Sequence, residues 1–183
     1  LAGWATRGYV AWDVTGGRLV FLKHCWQVPT LTKEGDTLLK LKGVDVPFVL
    51  TLVCHGDVES QTTVTPGCWD KERDGEESTM KPHTHYRLVV EEIGCPLDDF
   101  SNSRELVQVI HECICAHCVA FNDAHILHRD ISVGNILIIR KTKDRVVLGQ
   151  GLLNDWDLSK DTEIKSPRQR DRTVRTLSFP IFQ

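Results

Sequence analysis

Residues 126–139 read Ile-Leu-His-Arg-Asp-Ile-Ser-Val-Gly-Asn-Ile-Leu-Ile-Ile, a polar loop between two apolar runs. The apolar runs predict short strands that hold the loop rigidly. The loop contains His128, Arg129 and Asp130, and Asn135 follows Asp130 by five residues. An Asp can accept the proton of a hydroxyl group, and an Asn on the same loop can hold a metal ion near that reaction. The loop is therefore a candidate catalytic site.

A second acidic motif follows this loop. Residues 155–157 read Asp-Trp-Asp, and Asp155 comes 20 residues after Asn135. Residues 140–144 form a charged stretch that predicts a turn, and residues 146–148 are apolar and mostly β-branched. This order predicts a hairpin that returns Asp155 to the side of Asn135. Two candidate metal ligands would then meet at one end of the hairpin.

The two motifs resemble the catalytic loop H-R-D-x-x-x-x-N and the D-F-G segment of protein kinases. The resemblance implies that Asp130 orients the substrate hydroxyl and accepts its proton, and that Asn135 and Asp155 bind Mg²⁺. It also places Arg129 in the catalytic loop, where this arginine can pair with a phosphate on the activation segment. We identify residues 160–178 as that segment, with Thr173 and Thr176 as the expected phosphate acceptors.

The N-terminal segment fits a phosphate-covering loop. Residues 3–10 match G-x-A-x-x-G-x-V, with Gly3, Gly8 and Val10 at the defined positions. Glycines allow the backbone to approach phosphates closely. The turn at residues 15–17 is followed by an apolar strand that ends at Lys23, and this strand resembles the kinase V-A-I-K strand. The resemblance implies that Lys23 holds the α- and β-phosphates of ATP.

A helix over residues 32–41 is expected to give Lys23 a carboxylate partner. Leu38 and Leu41 lie one helical turn apart, and Glu34 lies one turn before Leu38. We expect Glu34 to pair with Lys23, with Asp36 as the second choice. Gly35 weakens the expected helix.

The middle of the chain predicts two strands and an insertion. Residues 48–53 read as a strand, and residues 57–85 read as a mobile polar surface insertion that includes the charge run 70–77. Residues 85–94 then read as a strand that runs into Gly94. In the kinase resemblance this strand leads to the hinge, where backbone groups from Glu91 to Ile93 bind adenine.

A core helix is expected directly before the catalytic loop. Apolar residues recur at helical spacing. The expected core stripe is Leu106, Val109, Ile110, Ile114, Cys118 and Phe121.

Taken together, these motifs resemble the fungal-type protein kinase family. The matching segments are residues 6–10, 20–26, 33–35, 126–135 and 153–158. The resemblance implies an α+β, bilobal protein-kinase-like fold with a small β-rich N-lobe over residues 1–93 and a partial C-lobe over residues 94–183. It implies ATP- and Mg²⁺-dependent phosphorylation of Ser/Thr hydroxyls on a protein substrate. A whole kinase domain needs roughly 250 residues, so we expect a domain truncated within its activation segment.

Two departures leave other functions open. Ser132 stands where most protein kinases carry a Lys, and Asp157 replaces the Gly of D-F-G. Both features resemble small-molecule kinases of the aminoglycoside and choline type, although the long segment after Asp157 favours a protein kinase. A non-catalytic nucleotide-binding remnant is the third interpretation. The presence of Lys23, Asp130, Asn135 and Asp155 argues against loss of function by substitution.

Composition is consistent with these expectations. The net charge of −3 gives no attraction to nucleic acid or to a membrane surface, and no run of the sequence is long enough to span a bilayer. Seven cysteines without a regular framework predict an intracellular, cytoplasmic or nuclear protein. Residues 111–118 are rich in Cys and His, but Cys113 and Cys115 point about 200° apart on a helix and cannot share one zinc ion.

Overall fold

The computed structural model describes residues 6–68, 81–143 and 146–163. Strands and helices are mixed, so the α+β class expected from the sequence is confirmed. Three sequence features lie outside the described residues: Gly3, the charge run 70–77, and the segment that carries Thr173 and Thr176.

The first sheet is antiparallel. It contains β1 (Arg7–Asp13), β2 (Arg18–Gln27), β3 (Leu52–Thr62) and β4 (Thr84–Val90). The strand order is β1-β2-β4-β3. The central strands carry alternating side chains, and Lys23 pairs with Gly8 on β1 and with Leu88 on β4. The register places Lys23 beside Gly8, a residue of the predicted phosphate-covering segment.

Helix α1 (Glu34–Gly43) packs against β3. The residues of its first turn include Glu34 and Asp36, and its last turn carries Lys40 and Lys42. Acidic residues at the start of a helix and basic residues at its end both interact favourably with the helix dipole. The charge order along α1 therefore supports the helix at the position where the sequence predicted it.

The strand predicted over residues 48–53 was misplaced. The observed strand β3 begins at Leu52 and continues to Thr62, well into the predicted insertion. The last residues of β3 are polar and exposed, because this end of the strand lies at the sheet edge. An edge strand can carry polar side chains because they face solvent and not the hydrophobic core. The polarity of these residues therefore led to the wrong prediction of where the strand ends.

The second sheet has three strands. It joins β5 (Cys95–Pro96), β7 (Ile136–Lys143) and β8 (Val146–Leu153) in the order β5-β7-β8. The predicted hairpin is confirmed, but the predicted turn over 140–144 is not, because β7 continues to Lys143. A two-stranded ladder pairs β6 (Ile126–Leu127) with β9 (Lys160–Asp161). The catalytic-loop residues thus lie between β6 and β7.

Helix α2 (Ser103–Ala124) packs against β8 and β7 of the second sheet and also contacts β6 of the two-stranded ladder. The Asn102 side chain caps its N-terminus by accepting a hydrogen bond from the Glu105 N–H at 3.0 Å. The buried stripe consists of Val109, Cys113, Ala116, Ala120 and Ala124.

The predicted core stripe of α2 was therefore largely wrong. Val109 is buried and Leu106 is partly buried, whereas Ile110, Ile114, Cys118 and Phe121 are exposed. Two apolar stripes share the helical period, and the stripe rich in alanine allows the closer approach to the second sheet. No helix in the described residues combines the length and the apolar composition needed to cross a membrane.

One hydrophobic cluster joins the two sheets. It includes Leu38 and Leu41 from α1, Leu88 from β4 and Leu153 from β8. Among the residues that the structure describes, Trp156 is the largest fully buried side chain. Because this cluster continues from α1 to the end of β8, it fixes α1, which carries Glu34, relative to residues 155–157, which follow β8.

Candidate active site

Lys23 forms two short ion pairs. Its Nζ lies 2.6 Å from Glu34 Oε2 and 2.7 Å from Asp155 Oδ1. Burial by itself acts to lower the pKa of Lys23, but the charges of Glu34 and Asp155 and their hydrogen bonds raise that pKa above its ordinary value. Burial also raises the pKa of Glu34, and the Lys23 charge opposes this rise. Lys23 therefore carries a positive charge at neutral pH, held between two carboxyl groups.

The position of Glu34 depends on the residue that follows it. Glu34 is the first residue of α1 and is 0% exposed. The Gly35 N–H donates a hydrogen bond of 3.0 Å to the Tyr86 hydroxyl. A Cβ atom at position 35 would lie 2.2 Å from the ring of His55. Glycine is thus required here because β3 and β4 approach the start of the helix closely, although the sequence suggested only a weakened helix.

The catalytic loop is held by hydrogen bonds between its own residues. The Asn135 Nδ2 donates to the Asp130 carbonyl oxygen at 2.8 Å and to Asp130 Oδ2 at 3.1 Å. The backbone N–H of Asn154 donates to the Asn135 carbonyl oxygen at 2.9 Å. This last bond joins the loop to the segment that carries Asp155, as the predicted hairpin required.

His128 also connects the catalytic loop with the segment that carries Asp155. Its Nε2 lies 2.9 Å from the Asn154 carbonyl oxygen, and the Asp130 N–H donates to its Nδ1 at 3.3 Å. The ring is fully buried and meets Trp156 edge to face at 4.5 Å. Burial lowers the pKa of His128. A neutral ring that donates through Nε2 and accepts through Nδ1 satisfies both hydrogen bonds.

Residues 155–157 are held by contacts with both sheets. Asp155 adopts a left-handed backbone conformation with φ 59°. The Trp156 N–H donates to Glu34 Oε1 at 3.1 Å, and its indole Nε1 donates to the Leu153 carbonyl oxygen at 3.1 Å. Asp157 Oδ1 accepts a hydrogen bond of 2.9 Å from Gln27 Nε2. The Asp155 carboxylate is thereby fixed opposite Lys23.

The remaining predicted nucleotide residues lie around this centre. Gly8 is on β1, opposite Lys23, and Val10 is exposed on the same strand. Glu91 follows β4, and its N–H donates to the Thr51 carbonyl oxygen at 3.0 Å. Ile93, two residues further along, is exposed.

Arg129 lies between His128 and Asp130, with a left-handed φ of 72°. That conformation is uncommon for a residue other than glycine. It turns the loop so that the neighbouring His128 and Asp130 contact each other through the hydrogen bond described above.

A family model described as fungal protein kinase matches residues 2–181. The chain belongs to the fungal protein kinase family. A search of curated proteins found no match. Membership in this family supports a kinase-type function and implies ATP as a ligand and a protein as a substrate.

The oxygen atoms of this fungal protein kinase fit a magnesium ion. Both donor contacts of the Asn135 amide nitrogen go to Asp130, and neither uses the amide oxygen, which is a ligand type that Mg²⁺ accepts. Asp155 adds a carboxylate that is about 38% exposed. Mg²⁺ prefers oxygen ligands and commonly takes one or two from the protein and the rest from phosphates and water. Within the described residues, no group of three or more His, Cys, Asp or Glu side chains could hold a metal on its own.

Two contributors to this kinase site were missed in the sequence. Gln27 lies on the same face of β2 as Lys23, because the two are four residues apart along a strand. The alternation of side chains along β2 could have shown that Gln27 lies on the Lys23 face, where it contacts Asp157. The second is Phe21, which lies two residues before Lys23 on the same face of β2, with its ring directed at Gly8.

Proposed function

We propose that this chain is an ATP- and Mg²⁺-dependent protein kinase that transfers the γ-phosphate to Ser or Thr hydroxyls. The observation that carries the proposal is the contact of Lys23 with both Glu34 and Asp155. Protein kinases need the Lys–Glu ion pair and the metal-binding Asp in place together before phosphoryl transfer. Here both contacts converge on a single ammonium group.

Each residue then has a separate task. Lys23 would bind the α- and β-phosphates, and the Asn135 amide oxygen and the Asp155 carboxylate would hold Mg²⁺. The bound metal supplies positive charge that offsets the charge of the phosphates during transfer. Asp130 would orient the substrate hydroxyl and accept its proton, and Arg129 would pair with a phosphate on the activation segment. Hydrogen bonds from the Asn135 amide to Asp130 Oδ2 and from the Asp130 N–H to His128 support this orientation.

The rest of the nucleotide is assigned to the first sheet and the residues after it. Gly8 and Val10, with Gly3 outside the described residues, would cover ATP from above. Backbone groups of Glu91 and Ile93 would bind adenine. In this proposal residues 1–93 form the N-lobe and residues 94–183 belong to the C-lobe.

Ser132 gives this kinase a different charge balance. It lies directly before the short turn Val133–Asn135, where most protein kinases carry a lysine. The charge on the transferred phosphoryl group would then be met by Lys23 and the metal alone. The same residue, together with Asp157, is what favours a small-molecule phosphotransferase as the second candidate.

A substrate panel tests the proposal. Transfer of labelled γ-phosphate would be measured from Mg-ATP to unfolded proteins and Ser-, Thr- and Tyr-containing peptides, and in parallel to aminoglycosides and choline. We expect labelled phosphoserine or phosphothreonine from the wild type and none from Asp130→Asn. Transfer to a small molecule but not to protein would favour the second candidate. ATP binding without transfer to any acceptor would leave only nucleotide binding.

A further inference from the structure

Phe21 lies on the same face of the first sheet as Lys23. It is two residues before Lys23 on β2, and side chains two residues apart on a strand point to the same side. Its pairing partners are Val10 on β1 and Val90 on β4. Phe21 therefore lies between Val10, which is proposed to cover ATP, and Val90, which is the last residue of β4 before the proposed hinge.

The ring of Phe21 extends toward the phosphate-covering segment. A Cβ atom built on Gly8 would lie 2.3 Å from Phe21 Cζ and 3.0 and 3.2 Å from the two Cε atoms. Because Cζ is the closest atom and the Cε atoms are nearly equidistant, the ring points at Gly8 with its tip. Gly8 pairs with Lys23. The ring thus extends from the position opposite Val10, the pairing partner of Phe21, to Gly8.

The size of this side chain is the important departure. In the V-A-I-K strand the residue two before the lysine is alanine, and here it is phenylalanine. A methyl group in this position leaves a flat slot beneath the sheet, whereas a benzyl group fills it. The ring is also half-buried against the hydrophobic core, so moving it aside removes packing contacts.

We propose that Phe21 is a specificity-determining residue that closes the base-binding part of the cleft. This inference rests on the proposed nucleotide site. The phosphate groups would be bound through Lys23 and through a magnesium ion held by Asp155 and Asn135. The chain then binds a nucleoside triphosphate mainly through its phosphates, with a small contribution from the base and little preference among bases.

Binding measurements separate the contribution of the base to the affinity from the contribution of the phosphates. The probes are Mg-ATP, Mg-GTP and Mg-tripolyphosphate, titrated calorimetrically into the wild type, Phe21→Ala and Phe21→Val. Leu22→Ala is the matched control, because Leu22 is a neighbouring half-buried residue on the opposite face of β2. Valine suits a strand, so Phe21→Val serves as the second variant if Phe21→Ala does not fold, and thermal melting of each variant checks the fold.

We expect the wild type to bind the three probes with similar affinity. Phe21→Ala should bind ATP about tenfold more tightly, equivalent to about 1.4 kcal/mol, with tripolyphosphate affinity unchanged. Leu22→Ala should change none of the three. Weaker ATP binding by Phe21→Ala would mean that the ring stacks on the base. An unchanged ratio of ATP affinity to tripolyphosphate affinity would mean that the ring does not reach the base. Either result overturns the inference about Phe21 and leaves the proposed nucleotide site intact. Failure of every form to bind any probe would instead contradict the proposed function, and the inference with it.

Discussion

The backbone N–H of Trp156 donates a 3.1 Å hydrogen bond to the carboxylate of Glu34, 122 residues earlier in the chain. The second oxygen of the same carboxylate lies 2.6 Å from the Lys23 ammonium. One buried carboxylate thus joins strand β2, helix α1 and the segment of residues 155–157. The position of Asp155 consequently depends on the position of α1, so any movement of the helix changes the ion pair between Lys23 and Asp155.

Replacing Glu34 with Gln should affect both stability and nucleotide binding. Loss of one partner from a buried ion pair typically costs about 3–5 kcal/mol, and the remaining pair between Lys23 and Asp155 should lower the loss to about 2–3 kcal/mol. Urea denaturation would measure it. Asp36→Asn is the control, since Asp36 lies in the same helical turn with a side chain about 57% exposed. Equal destabilisation by the two substitutions would contradict a special role for Glu34.

Asp155→Ala should remove the magnesium dependence of ATP binding. The Asp155 carboxylate and the Asn135 amide oxygen are the proposed metal ligands, and alanine leaves one of the two. Calorimetry with and without Mg²⁺ should show tighter ATP binding with the metal for the wild type and no difference for the variant. Asp123→Ala, an exposed carboxylate on α2, should behave like the wild type. If Asp155→Ala retains the magnesium effect, the metal assignment is wrong.

Asp130→Asn should separate catalysis from binding. The variant keeps the size of the side chain but removes the group that accepts the proton, and such groups typically contribute about 10²–10⁴-fold. We expect kcat to fall by about that factor while the ATP dissociation constant stays within about twofold of the wild type. Steady-state kinetics and calorimetry together measure the two effects. Poor ATP binding with normal turnover at saturation would assign Asp130 another role.

Gly35→Ala should destabilise the protein, and Gly43→Ala should not. Both glycines are in α1, but a Cβ atom at position 35 meets the His55 ring at 2.2 Å and one at position 43 meets nothing within 4 Å. Overpacking of this kind costs about 1–3 kcal/mol, whereas alanine in an open helical position gains about 0.5–1 kcal/mol. Chemical denaturation compares the two. The double variant Gly35→Ala with His55→Ala should recover part of the loss, and its failure to do so would place the strain elsewhere.

His128 should make the protein less stable at acidic pH. Burial lowers its pKa, so folding favours the neutral ring. The stabilisation is fully present above the ordinary histidine pKa of about 6.5 and is lost as the pH falls through the lowered pKa of the folded state. Stability curves between pH 7 and pH 5 should therefore fall more steeply for the wild type than for His128→Gln. His111→Gln, at an exposed site on α2, should keep the steep slope.

The site elements could be predicted from the sequence because their spacing is local. The Asp130–Asn135 separation, the hairpin that returns Asp155, and the helix that carries Glu34 all lie in short segments with clear periodicity. The structure brings Lys23, Glu34 and Asp155 into direct contact, although 132 residues separate Lys23 from Asp155.

Other features depend on contacts that periodicity does not encode. The two apolar stripes of α2 have the same spacing, and only the close approach of the second sheet selects the one with small residues. The boundary of β3 was misread because its polar residues lie on an edge strand. The requirement for Gly35 follows from the ring of His55, which is 20 residues away in sequence and adjacent in space.

The burial of Trp156 restricts the kinds of small molecule that can inhibit this site. A compound that needs the indole ring to leave the core must expose a side chain that is 0% exposed and break the hydrogen bond from its Nε1 to the Leu153 carbonyl oxygen. An indole of this class buries about 150–250 Å², so its exposure alone costs about 4–6 kcal/mol. That cost reduces the apparent affinity of such a compound by about a thousandfold or more. Compounds that fit beside Lys23 with Trp156 in place avoid the loss, so a screen against this chain should return that class.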